Sequence, residues 1–181
     1  MSEDITLRHM WKTIFKREFY IDMAVFVFVC IPAVLVILFF SSKMDRALDL
    51  KPIISYPLNV VFFIILSLTG ALIIWRAYTY LVFVGEGSPC PQLGGTKKLV
   101  TTGPYSLIRH PSVIGKLCGV IGLGLLSRSP FFTFAVIPSL FVWSAFYNRF
   151  IQEKGCEDKF GGAYLEYRKR VPMFIPKLRK R

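Results

Sequence analysis

Residues 24–40 form an apolar run that no polar side chain interrupts. A helix at the surface of a soluble domain has an apolar stripe with a polar face behind it, whereas this run is apolar all round. A soluble helical bundle is therefore disfavoured. About 20 mostly apolar residues span a bilayer, and residues 21–40 provide that length with Asp22 as the one charged side chain. The run predicts a transmembrane helix.

Three further apolar stretches follow, at residues 60–75, 113–126 and 130–147. The stretch at 113–126 is short and glycine-rich, but only a few residues separate it from the next, which indicates a tight helical hairpin. We therefore predict an all-α integral membrane protein with about four transmembrane helices, three or five being the alternatives. An N-terminal amphipathic helix is predicted before the first span, and cytoplasmic amphipathic helices after the last. The apolar face of the N-terminal helix would comprise Met10, Trp11, Ile14, Phe15 and Tyr20.

The charged residues predict the orientation. The chain has 181 residues, with 23 Lys and Arg against 11 Asp and Glu. The basic residues concentrate before the first span, in the loop of residues 86–110 and from Arg149 onward, and positive charge favours the cytoplasmic side. Both termini and the loop are therefore expected on the cytoplasmic face of a bacterial inner membrane or the endoplasmic reticulum. The charge is interpreted as a topology signal and an attraction to anionic lipids, so no nucleic-acid partner is expected. The four cysteines have no zinc-site spacing, so no metal is expected.

We predict a single membrane domain, residues 1–181, with two unlike halves. Residues 1–84 hold the N-terminal helix and the first two spans, and residues 85–181 hold nearly all of the turn-forming residues. The chain shows no internal repeat, so an inverted-repeat transporter gains no support. Any chemistry is expected in the second half.

The first candidate motif is LVTTGPYSLIRHPSVIG. Pro111 suits the first turn of a helix, which places His110 at or just before the N-cap. Exposed N–H groups at such an end favour an anion, and Arg109 adds a positive charge. The alternative is that these residues only cap a helix at the membrane interface, with Lys116 and Arg76 extending toward water.

The second candidate motif is FIQEKGCEDKFGGAYLEYRKRVPMFIP. The last span is predicted to continue into an amphipathic helix that breaks at Gly161-Gly162, with a short helix over residues 163–170. Tyr164, Tyr167 and Arg170 recur at three-residue spacing, which predicts that they share one flank. The alternative is a set of interfacial tyrosines and a solvated charge run.

Together the two motifs resemble the isoprenylcysteine carboxyl methyltransferase family, in a superfamily that includes the phospholipid N-methyltransferases. The similarity covers about residues 85–176 and rests on RHPS with Gly115 after it, YLEYRKRVP and the closing IP. GEGSPCP resembles a related bacterial loop. The resemblance implies a membrane methyltransferase that uses S-adenosylmethionine without a Rossmann domain, in agreement with the lack of a G-x-G-x-x-G motif.

The resemblance also implies the roles of single residues around a cytoplasmic cofactor pocket. Glu153 would hold the amino group of the cofactor, and Arg170 would point at the substrate carboxylate. His110 would accept the proton if the acceptor were an amine. These three are the catalytic candidates. The residues expected to contact the cofactor are Gly103, Tyr105, Arg109, His110, Pro111, Glu153, Tyr164 and Tyr167.

The expected acceptor is lipid-like, with a tail that enters laterally between the spans. Carboxyl O-methylation of an isoprenylcysteine-like substrate is the first hypothesis, and phosphatidylethanolamine-type N-methylation is the alternative. A small non-enzymatic membrane transporter or assembly protein, and an inactive family member, are further alternatives. The chain departs from the family at Gln152 (a glutamate there), Cys156 (a leucine) and Val113 (often a tyrosine), which leaves the acceptor open.

Overall fold

The structure is a computed structural model that describes Phe28 and residues 31–87 and 95–176. The predicted N-terminal amphipathic helix, the start of the first predicted span and most of the glycine-rich loop at 85–95 lie outside these residues. Within the described residues the regular structure is helical throughout, with no strand. The all-α class predicted from the sequence is therefore confirmed for this part of the chain.

Five helices carry the described part of the fold. They are α1 (Ile31–Ala47), α2 (Leu58–Phe83), α3 (Pro111–Ser127), α4 (Phe132–Phe160) and α5 (Gly162–Arg170). Helix α4 includes two π-helical stretches, Phe132–Val136 and Asn148–Gln152. A 3₁₀ turn, Gly103–Ser106, precedes α3.

Helices α2 and α4 are long and apolar enough to cross a membrane. Only 11% of the most apolar 18-residue window of each helix is buried in the protein, whereas the core helix of a soluble protein is mostly buried. Large apolar side chains such as Phe62, Leu72 and Trp143 face outward instead. Helix α3 is apolar but shorter, at 17 residues. Two of the predicted spans thus have the properties of membrane helices, and the count of four stays a prediction.

Helices α2 and α3 pack antiparallel at a point of close backbone contact. A Cβ atom placed on Gly115 would lie 2.7 Å from both the Gly70 carbonyl oxygen and Ile74 Cγ1. Small residues allow helix backbones to approach in this way in membrane bundles. At the far end of the pair, the Asn59 side-chain amide donates to the Leu126 carbonyl at 3.2 Å. This packing holds the start of α3 beside the second half of α2.

Residues 128–131 connect α3 to α4 in the short hairpin that the sequence predicts. The start of α4 is capped twice. The Phe132 N–H donates to Ser129 Oγ at 3.0 Å, and the Phe131 N–H donates to Asp45 Oδ1 of α1 at 2.8 Å. Carboxylate and hydroxyl acceptors satisfy N–H groups that have no partner inside the helix. The bond to Asp45 ties α1 to the hairpin at the end of the bundle opposite the site described below.

The predicted break after α4 is confirmed. Gly161 has φ +53° and ψ −131°, a conformation that only glycine adopts readily. Helix α5 begins at the next residue and ends at Arg170, after which Val171 is extended. The chain therefore turns at Gly161 and folds α5 back against the 3₁₀ turn that precedes α3.

Candidate functional site

A cavity of about 590 Å³ lies between the 3₁₀ turn, the start of α3, the second half of α4 and helix α5. This volume falls in the range of about 300–1,000 Å³ typical of small-molecule sites. Most of the residues singled out from the sequence meet there. The predicted site residues that line the cavity are Tyr105, Arg109, His110, Tyr164 and Tyr167.

The Arg-His-Pro motif forms the mouth of α3, as predicted. Pro111 is the first residue of the helix and His110 is its N-cap. The Arg109 N–H donates to the Pro172 carbonyl at 2.9 Å, and the His110 N–H donates to the Met173 carbonyl at 3.3 Å. The segment that follows α5 therefore fixes the backbone of the motif. Pro111 itself is buried and does not line the cavity.

The same C-terminal segment places an aromatic ring beside the histidine. The Phe174 ring lies 5.9 Å from the His110 ring and 5.4 Å from the Phe141 ring of α4, measured between centroids. The ring therefore packs between the mouth of α3 and helix α4. Sequence reasoning missed this role, because it interpreted MFIP only as turn-forming residues and as part of a family motif.

Glu153 is the centre of a buried charge cluster, with a side chain only 1% exposed. Arg109 Nη1 and His110 Nε2 lie 2.6 and 3.3 Å from its Oε1. Arg149 Nη1 and Arg168 Nε lie 3.0 and 3.7 Å from its Oε2. One carboxylate thus joins the loop before α3, helix α4 and helix α5. The predicted proximity of His110 and Glu153, 43 positions apart in the chain, is present in the structure.

The Glu153 carboxylate lies behind the cavity wall rather than on it. Its neighbour Gln152 lines the cavity, as do Gly155 and Cys156 of the same helix. Glu153 contacts four cationic or histidine side chains, and its role at the amino group of a cofactor stays a prediction. Its contacts with Arg109 and His110 fix two side chains that do line the cavity.

Arg170 lies away from the cavity. Its side chain is 74% exposed and its Nη2 lies 3.9 Å from Glu166 Oε2 on the same helix. Tyr164 and Tyr167 of this helix are buried. At 3.6 residues per turn, each three-residue step rotates by about 60° away from the starting face, so the third member is about 120° from the first. The expectation of one shared flank therefore holds for the tyrosines but does not extend to Arg170.

The 3₁₀ turn is fastened to α5 by a buried hydrogen bond. The Tyr167 hydroxyl donates to the Tyr105 carbonyl at 2.7 Å. Burial raises the pKa of Tyr167 well above its usual value, so the hydroxyl keeps its proton and stays a donor. Gly103, in the same turn, has φ +59° and packs so closely on the Tyr80 ring that a Cβ would overlap it. Gly103 shapes the turn and is not among the cavity-lining residues.

The cavity wall carries three cationic side chains and no carboxylate among the described residues. The Arg109 side chain is only 10% exposed, and its Nε has no hydrogen-bond partner within the described part of the chain. A buried guanidinium donor without an acceptor is costly unless a ligand supplies one. The cationic lining residues are Arg109, Lys116 and Lys159.

On the part of the wall formed by α3 and α4, four polar side chains make no hydrogen bond or ion pair with any described residue. Two of them come from one face of α3 and two from α4. Sequence reasoning treated Lys116 mainly as extending toward water and Gln152 as a departure from the family. It missed the other two, although a spacing of four residues places Ser112 on the face of Lys116. The four are Ser112, Lys116, Tyr147 and Gln152.

Residues 58–160 match the model of the phospholipid methyltransferase family, which is more than half of the chain. The chain belongs to this family. Among curated relatives, it is 32% identical to protein-S-isoprenylcysteine O-methyltransferase B of Arabidopsis thaliana over 115 residues, 62% of this chain and 53% of the relative. It is 39% identical to the Homo sapiens protein-S-isoprenylcysteine O-methyltransferase over 82 residues, 45% of this chain and 28% of the relative.

A third relative has a different kind of name. The cobalt-zinc-cadmium resistance protein CzcN of Cupriavidus metallidurans is 39% identical over 84 residues, 44% of this chain and 36% of the relative. The matched regions thus span from 28% to 53% of the length of these three relatives. No solved structure matches the chain significantly. The resemblance to isoprenylcysteine carboxyl methyltransferases inferred from the motifs is confirmed by the names of the relatives.

Proposed function

We propose that the protein is a membrane methyltransferase that uses S-adenosylmethionine to methylate the carboxylate of a lipid-like acceptor similar to isoprenylcysteine. The observation that carries the proposal is the cavity wall, which has three cationic side chains and no carboxylate among the described residues and lies beside apolar helices. Such a wall attracts an anionic group such as a carboxylate. The family match and the isoprenylcysteine methyltransferase relatives support the same reaction.

The described residues fit the cofactor. The Arg109 guanidinium is buried and has a donor without a partner, which suits the carboxylate of an amino-acid group. The Gln152 side-chain carbonyl lines the same cavity and can accept a hydrogen bond from an ammonium group. Tyr164 and Tyr167 supply aromatic walls. When bound, S-adenosylmethionine supplies an activated methyl group on a sulfonium.

The contribution of the protein to such a reaction is alignment and the exclusion of water. Glu153 holds the Arg109 and His110 side chains in place through contacts of 2.6 and 3.3 Å. The backbone bonds from the C-terminal segment hold the same two residues from the other side. The site is therefore rigid where it would orient the methyl donor.

A carboxylate acceptor requires less of the site than an amine does. A carboxylate oxygen attacks as an anion and releases no proton, so it needs no general base. An amine releases a proton, and the obvious base is His110. An ionised carboxylate only accepts hydrogen bonds, so the His110 Nε2 facing Glu153 is the donor, and only Nδ1 is left to accept a proton.

The charged residues also indicate the side of the membrane on which the cavity lies. Arg149, Lys159 and Arg168 cluster at the end of the bundle that holds the cavity. Positive residues favour the cytoplasmic side of a membrane. We place the cavity, with both chain termini, at the cytoplasmic face, and the acceptor tail in the lipid beside α4.

The test is methyl transfer in detergent or nanodiscs with labelled S-adenosylmethionine. A farnesylated cysteine analogue should yield base-labile, volatile label, which marks an ester. Phosphatidylethanolamine vesicles should yield no base-stable label. Base-stable label on phosphatidylethanolamine would replace the proposal by N-methylation, and calorimetry without any binding of S-adenosylhomocysteine would favour a non-enzymatic role.

A further inference from the structure

Lys116 is the one charged residue in α3, which is otherwise built from apolar and small residues. It lies five positions after Pro111, or about 7.5 Å along the axis at a rise of about 1.5 Å per residue. A charged side chain inside an apolar helix is costly, and such residues are usually found facing a cavity, a partner or a substrate path. Lys116 is exposed at the cavity wall in the structure, so its ammonium is open to an anionic partner.

No described residue provides that partner. Lys116 lines the cavity and makes no ion pair or hydrogen bond with the described part of the chain. The buried carboxylate of Glu153 is taken by Arg109, Arg149 and Arg168 together with a histidine. The Lys116 ammonium is therefore available to an anion that enters from outside.

Ser112 adds a second donor beside the ammonium. It lies four residues earlier, on the same face of α3, and it also lines the cavity without a hydrogen-bond partner among the described residues. Helix α4 contributes Ile151, a large apolar residue that is 55% exposed, to the lining of the same cavity. The cavity thus has a polar pair on one wall and an edge that reaches the surface facing the lipid.

We infer that Lys116, with Ser112 beside it, binds the carboxylate of the acceptor, while the acceptor tail leaves the cavity past Ile151. This inference rests on the function proposed above and adds the acceptor site to it. The role that the motif resemblance gave to Arg170 passes to Lys116, because Arg170 is exposed and lies away from the cavity. Arg109 then binds the carboxylate of the cofactor, and Lys116 binds the carboxylate of the acceptor.

The choice of lysine suits a carboxylate that has to react. An arginine fork binds both oxygens of a carboxylate at once, whereas an ammonium is a compact point charge. A single ammonium neutralises the acceptor enough to bring it into the cavity and leaves the second oxygen free. We therefore expect an arginine at this position to bind the acceptor but to slow its methylation.

The experiment measures binding rather than turnover. The probes are a farnesyl thioether that ends in a carboxylate and the matching primary amide, titrated into the full chain in detergent. The wild type should prefer the acid. Lys116→Gln should weaken binding of the acid by ~10-fold or more, as expected for loss of a charged hydrogen bond, and should leave binding of the amide unchanged. Lys154→Gln is the matched control, because Lys154 is exposed on α4 and does not line the cavity.

S-adenosylhomocysteine separates this inference from the proposed function. Its affinity should be the same in the wild type and in Lys116→Gln, which also shows that the variant is folded. Equal binding of the acid by the wild type and Lys116→Gln would overturn the inference and leave the proposed function intact, with Lys116 then only extending toward water. Failure of the wild type to bind S-adenosylhomocysteine would instead contradict the proposed function. Lys116→Arg should keep acid binding within about threefold of wild type, as the charge is retained, and loss of that binding would also count against the inference.

Discussion

The two ends of the helix bundle use polar residues in different ways. At the end of the α3–α4 hairpin, Asp45 and Ser129 accept from backbone N–H groups, and Arg128 Nε donates to the Ile54 carbonyl at 2.9 Å. At the other end, Glu153 forms ion pairs with several arginines, and several polar side chains on the cavity wall have no partner in the described residues. At the hairpin end the paired groups hold the helices together, whereas at the cavity end several polar groups remain open to a ligand.

Of the variants that test this difference between the two ends, the Glu153 variant should lose the most stability. Replacing Glu153 by alanine leaves Arg109, Arg149 and Arg168 close together without their shared carboxylate. Removal of one partner of a buried ion pair costs about 3–5 kcal/mol, so the unfolding midpoint in detergent should drop strongly. Glu157→Ala is the control, because its half-exposed pair with Arg168 should contribute less than ~1 kcal/mol. Similar losses in the two variants would contradict the central role of Glu153.

A second, smaller effect is expected at Arg109. Arg109→Lys keeps the charge beside Glu153 but loses the guanidinium donors that face the cavity. Loss of a charge-assisted hydrogen bond should weaken binding of S-adenosylhomocysteine by ~10-fold or more. Isothermal titration calorimetry measures this directly. Unchanged affinity would show that the unpartnered Nε does not face the cofactor.

At the opposite end, Asp45→Ala should affect stability alone. The Phe131 N–H loses its acceptor, and loss of a capping residue costs about 1 kcal/mol. We expect a small drop of the unfolding midpoint with unchanged affinity for S-adenosylhomocysteine. A clear loss of ligand affinity in this variant would remove the distinction between the two ends.

The smallest effect is expected for Tyr167→Phe, which removes the hydroxyl that donates to the Tyr105 carbonyl. A net hydrogen bond contributes about 1 kcal/mol or less. Burial raises the pKa of Tyr167 in the folded protein. The contribution of this hydrogen bond to stability is therefore complete below the usual tyrosine pKa of about 10, and it is lost as the pH rises through the higher pKa of the folded state. The difference in unfolding midpoint between wild type and variant should therefore be constant from pH 7 to pH 9. A difference that shrinks in this range would contradict the buried, protonated hydroxyl.

The features predicted correctly from the sequence are those set by local chemistry. Pro111 permits only the first turn of a helix, which placed His110 at the N-cap, and Gly161 tolerates a backbone angle that ends α4. The burial of Glu153 could not be predicted in this way, because its partners at positions 109 and 110 come from a distant part of the chain. The side of α3 on which Lys116 lies depends on the contact between Gly70 and Gly115, which no local pattern reveals.

The carbonyls of Pro172 and Met173 have a consequence for biogenesis. They accept the N–H groups of the histidine motif more than sixty positions earlier, so the mouth of α3 is incomplete until this late stretch has left the ribosome. The spans can insert one after another during translation, but the cavity can close only afterwards. A nascent chain arrested before residue 172 would therefore lack both of the acceptors that fix the backbone of Arg109 and His110.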